Sequence, residues 1–128
     1  WCGDIPESEA ERVISCLAEA ENNRPADYQN DMSHVLTTLQ NGFWQLLHAS
    51  DAGAGVRDTV MKGGDAAANG AVAGALLGAA LDIDSFPQQW ADAVLACRPA
   101  PGRADVPQPR PESCWPLDFM PLAQTLLG

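Results

Sequence analysis

The sequence predicts an all-α protein. Apolar residues return at helical spacing in segment after segment, and no stretch alternates with a period of two for more than a few residues. The longest apolar run, residues 71–81, is rich in Gly and Ala and sits inside a stretch of helical length.

A first helix is expected over residues 6–20. Ala10, Val13, Ile14 and Leu17 fall at i, i+3, i+4 and i+7 as one apolar stripe, and Ser8 and Glu11 have capping-box spacing. Asn22, Asn23 and Pro25 end it, and residues 22–32 read as a polar loop. A second helix is expected over residues 33–49, with Leu36, Leu39, Phe43, Leu46 and Leu47 on one face. Asp51, Gly53 and Gly55 mark a break, and a short helix over residues 56–62 stops at Gly63-Gly64. The fourth helix begins after Asp65 and runs to about residue 81. Gly70, Gly74 and Gly78 recur in it every four residues. Each costs about 1 kcal/mol relative to alanine in a helix interior. Three on one face predict a smooth ridge where another backbone approaches closely.

A fifth helix is expected over residues 85–97, where Ser85 and Gln88 have capping-box spacing and Pro87 falls in the first turn. Phe86, Trp90 and Val94 line one side of it. Residues 99–116 hold six of the ten prolines and read as an extended crossing. A C-terminal helix over residues 117–128, capped by Asp118, carries Phe119, Leu122, Ala123, Leu126 and Leu127. Trp44 and Trp90 are expected in the core, and Trp115 is expected to pin the crossing to the helices. The whole reads as one helical domain or part-domain over residues 1–128.

Charge narrows the function. Seven basic against 17 acidic side chains give a net charge of −10. That excludes nucleic acid, whose phosphates need clustered Lys and Arg, and it excludes anionic membrane surfaces. The longest apolar run is too short to span a bilayer, which takes about 20 residues. The N-terminus carries acids where a secretory signal needs a basic and then an apolar stretch. Cys2, Cys16, Cys97 and Cys114 lack the close spacing of a zinc knuckle or redox motif, and they read as reduced thiols of a cytoplasmic protein. A first residue of Trp rather than Met points to a processed product or a fragment.

Chemistry concentrates at Gly63-Gly64-Asp65. Two glycines let the backbone turn sharply and leave room for a ligand. Asp65 then stands at a helix start, where its carboxylate is favoured by the dipole and can cap free N–H groups. His34 precedes Val35 at the start of the second helix. His48 lies at that helix's end, where the dipole accounts for it. Neither histidine has an acid or nucleophile at motif spacing.

The run from Gly63 through Asp65, Asn69, Gly74 and Leu76-Leu77-Gly78 to Ala79 resembles a signature of the ADP-ribosylglycohydrolase family. That family usually reads Gly-Gly-Asp-Thr-Asp-Thr, a small polar stretch, and Ala-Ile-Ala-Gly-Ala-Leu-Leu-Gly-Ala. Val35, Leu39 and Trp44 resemble its preceding helix. Asp84-Ser85-Phe86-Pro87 with Trp90 resembles its Ile-Pro-x-x-Trp step. Cys97-Arg98-Pro99 and residues 114–118, with Leu122 and Ala123, are similar to its C-terminal segment, so the likeness covers about residues 33–128. It implies a helical bundle like the C-terminal portion of that fold. It also implies hydrolysis of the bond between ADP-ribose and a modified acceptor, with ADP-ribose or an ADP-ribosylated protein as partner and magnesium as cofactor. Magnesium is a hard cation that takes oxygen ligands, and a pair of them can activate water.

By that resemblance Asp65 is a metal ligand, Gly63 and Gly64 line the substrate site, and His34 stacks near the nucleoside. No catalytic residue is assigned. The family draws metal ligands from the first Asp, the second Asp and the second Thr of its run. Here the last two positions are Ala67 and Ala68, which offer no lone pair. The family's second metal-binding motif, Asp-Asp-Thr, is not reproduced by Asp4, Asp27 or Asp31. Asn69 offers an amide oxygen as a substitute. Three readings follow: an incomplete or inactive hydrolase, a binding module for ADP-ribose or a nucleotide, and a helix-packing piece whose glycine ridge binds another helix. As a part-domain the chain is also expected to self-associate or to pair with a missing half.

Overall fold

Local sequence sets where each helix begins, and the computed structural model, which describes residues 6–30 and 34–126, places the starts differently from the capping-box spacing. Cys2, Asp4, Asp31, Ser33 and Leu127 lie outside the described residues. Among those described there is no strand. The elements are α1 (Glu7–Ala20), α2 (Val35–His48), α3 (Ala52–Met61), α4 (Ala66–Leu81), α5 (Gln88–Leu95) and α6 (Phe119–Leu126), with short 3-10 turns at Ile83–Ser85 and Glu112–Cys114. The chain divides into two compact units, Trp1–Phe86 and Pro87–Gly128. The predicted all-α class therefore holds.

Pro6, not Ser8, precedes the first turn of α1, so Ser8 and Glu11 lie inside the helix and form no capping box. Glu7 and Glu9 sit in that first turn, where the dipole favours them. α3 starts four residues earlier than the sequence predicts. The Asp51 carboxylate accepts from the Ala54 N–H at 2.7 Å, which makes Gly53 and Gly55 part of the helix rather than a break. Close packing explains Gly55: a Cβ there would lie 2.6 Å from Leu77 Cδ1 and 3.0 Å from Ala49 Cβ. The Ser85–Gln88 capping box also fails to form. Ser85 Oγ donates to the Asp82 carbonyl, and Pro87 is the residue that precedes α5.

The first unit is built on α2, α3 and α4. Thr38 meets Asn69 and, one turn further on, Gly42 meets Val72 and Leu76, so α2 and α4 run parallel. Val60 faces Gly70 and Val56 faces Gly74, so α3 runs antiparallel to α4. The glycine ridge is thus covered by the chain's own α3, with Phe86 against Gly78. At Gly70 and Gly74 an added Cβ would meet those valines at 3.4 and 3.5 Å, ordinary contact rather than a close backbone approach.

The buried face of α2 is not its leucine face. Asn41, Gly42 and Gln45 are buried, whereas Leu47 is 57% exposed. Polar partners make this tolerable. Tyr28 Oη donates to Asn41 Oδ1 at 2.9 Å, and Asn41 Nδ2 donates to Thr59 Oγ1 at 3.1 Å. Gln45 Nε2 donates to Asp58 Oδ2 at 2.7 Å. α1 contributes Cys16 and Ala20 to the core, while Val13 and Ile14 of its predicted stripe are exposed. Burial pushes the Cys16 thiol up, and its Sγ donates to the Leu36 carbonyl at 3.3 Å. Cys16, Cys97 and Cys114 are free thiols.

Trp44 is half-buried rather than core, stacked on His48 at 3.8 Å between ring centres. His48 Nδ1 lies 3.0 Å from the Trp44 carbonyl, so this histidine is held by its own helix. In the second unit no described residue is buried, Trp90 included. There Arg98 donates to the Leu95 and Cys97 carbonyls and closes the end of α5. Trp115 does not pin the proline-rich segment to a helix. Its Nε1 donates back to the Arg110 carbonyl within that segment, and its ring lies 6.0 Å from the Arg98 guanidinium carbon.

Candidate functional site

The turn between α3 and α4 holds both glycines in the left-handed region, at φ 75° for Gly63 and 65° for Gly64. The room at Gly64 is already filled. A Cβ there would fall 1.6 Å from the Tyr28 carbonyl oxygen, so glycine is required for the turn to seat against the Tyr28 loop. At Gly63 the nearest group to an added Cβ would be Gln29 Nε2, at 3.6 Å. Asp27 shapes this loop by accepting from the N–H groups of Gln29 and Asn30 and from Asn30 Nδ2. Those donors hold its carboxyl below the usual range.

Asp65 follows as the N-cap of α4. Its Oδ1 accepts from the Ala68 N–H at 3.1 Å, and its carbonyl accepts from the Asn69 N–H at 2.9 Å. Ala67 and Ala68 are exposed and carry only methyl groups. One turn into α4, Asn69 is buried to 1% exposure. Its amide oxygen accepts from Thr38 Oγ1 at 2.7 Å, which uses one of its two lone pairs. Its Nδ2 has no partner among the described residues.

His34 occupies the equivalent place on α2. It is the N-cap residue, makes no side-chain cap bond, and accepts through its carbonyl from Thr37 and Thr38. Because α2 and α4 are parallel and Thr38 bonds Asn69, the residues one turn upstream, His34 and Asp65, lie at the same end of the pair. Gly63, Gly64 and Asp65 thus lie at the end of the pair that carries His34. The Tyr28 contact and the Thr38–Asn69 bond were not legible, since neither belongs to a local motif.

A model of the ADP-ribosylglycohydrolase family matches residues 2–110. The chain belongs to that family. No curated protein and no solved structure matches it. The match begins upstream of the resemblance read from the glycine-rich helix, taking in α1, and stops before residues 114–128.

Family membership carries an expectation of magnesium, and the donors among the described residues do not fit one. The turn supplies a single carboxylate, one oxygen of which caps its own helix, and no group of three or more His, Cys, Asp or Glu converges among the described residues. Magnesium requires near-octahedral oxygen ligation. The nearest buried polar atom without a partner, Asn69 Nδ2, is a donor and cannot ligate a cation. No helix of the described residues is long and apolar enough to cross a membrane.

Proposed function

We propose that this chain is a non-hydrolysing member of the family, which recognises ADP-ribose or an ADP-ribosylated protein at the end of the α2–α4 pair carrying His34 and Gly63–Asp65. The donor set at the turn carries this reading. Cleaving a glycosidic bond requires an activated water together with stabilisation of the developing charge. Asp65 is the only carboxylate of the turn, and it caps Ala68. His34 is half-buried, with no hydrogen-bonded acid among the described residues. Binding asks less: the N-terminal turn of α2, whose cap His34 makes no side-chain bond, offers N–H groups of favourable polarity to a diphosphate. A cytoplasmic location belongs to the same reading.

The test is calorimetry with ADP-ribose, paired with an assay for ADP-ribose released from ADP-ribosylated protein. Saturable heat with no release above the uncatalysed background is expected. Enzyme-dependent release abolished by His34→Ala or Asp65→Ala would overturn the reading, as would no heat at all.

A further inference from the structure

We infer that the Gly63–Asp65 turn works without a metal ion in this chain: its residues serve the fold, and a ligand at this end is held independently of magnesium. The inference rests on the proposed binding role and adds how the ligand is held. The oxygens that a cation site would recruit are few, and each residue bearing them already has a structural bond. The Asp65 carboxylate accepts from Ala68 N–H. Asn69 gives its amide oxygen to Thr38. Gly64 is fixed by contact with the Tyr28 carbonyl, not by ligand clearance. In the first turn of α4, Ala67 and Ala68 carry no side-chain oxygen to ligate a cation.

A capping carboxylate and a metal-ligating one respond differently to substitution. A hydroxyl caps a helix nearly as well as a carboxylate, but a neutral serine does not replace an anionic ligand to a hard cation. Three measurements on the full chain follow. Magnesium chloride alone, titrated calorimetrically, should give no saturable heat. Asp65→Ser should melt close to the parent, while Asp65→Ala melts roughly 4 °C lower, the size expected for loss of one cap. ADP-ribose affinity should be unchanged, within about twofold, between magnesium and chelator and between the parent and Asp65→Ser, since a tenfold change would already signal a lost charged contact.

Saturable magnesium binding that Asp65→Ser removes would overturn the inference, and so would ADP-ribose binding seen only with magnesium. Failure to bind ADP-ribose under any condition would instead overturn the proposed function, leaving the metal titration and the two melts to judge the turn. Circular dichroism of both variants separates a lost cap from a chain that does not fold.

Discussion

Tyr28 shows how a single side chain ties the site loop to the core. Its hydroxyl donates to Asn41, which in turn donates to Thr59, and its carbonyl abuts Gly64. Tyr28→Phe leaves a buried acceptor on Asn41 without its donor, at a cost of about 1–3 kcal/mol. A lowered denaturant midpoint at unchanged m-value would show it. Burial, aided by Asp58 and opposed by Arg24, pushes the Tyr28 phenol up. The folded chain therefore keeps this proton at a pH where the unfolded chain has lost it. The stability it contributes is fully present below about pH 10, the ordinary phenol value, and falls as pH rises through the folded value. Tyr28→Phe should remove that alkaline decline. Tyr28 is the only tyrosine, so phenolate absorbance reports on it alone. Titration at the ordinary value would contradict its burial.

At the scale of elements, the glycines separate into two kinds that the sequence shows identically. Gly74 faces Val56 at ordinary contact distance, so Gly74→Ala should stabilise α4 by about 0.5–1 kcal/mol through helix propensity. Gly64→Ala meets a backbone carbonyl at positive φ and should destabilise by about 3 kcal/mol or more. Thermal melts of the two variants test the contrast, and equal shifts would mean the Tyr28 contact is wrongly placed. The same division explains what was legible. α4 began and ended as predicted because Asp65 is a local cap and the apolar run is long. α3 was cut short because Gly53 and Gly55 read as breakers, when Gly55 is there to admit Leu77. Periodicity gathers the leucines of α2 on one face, whereas this helix buries Asn41 and Gln45 through partners distant in sequence. At the candidate site, the residue types are visible in the sequence and their bonds are not. Asp65 as a cap was readable from position, but the Thr38 hydroxyl on Asn69 depends on two helices lying side by side.

For the whole molecule, burial is distributed unevenly, and this predicts how it opens. Every buried residue among those described lies at or before Leu77. α5 and α6 have eight residues each and bury none. Isolated helices shorter than about 12 residues are marginal in water. Amide exchange should therefore be two-tiered. The α2 and α4 amides exchange only on opening of the first unit, at least about 100-fold more slowly than those of α5 and α6. The proposed ligand end belongs to this buried unit, so ADP-ribose would have little ordering of α2 and α4 left to do. Its addition should slow exchange at the N-terminal turns of α2 and α4 and leave α5 and α6 unchanged. Protection that rises first in α5 and α6 would move the binding surface out of the first unit. The assignment of His34 and Gly63–Asp65 would then fail, even with the family membership intact.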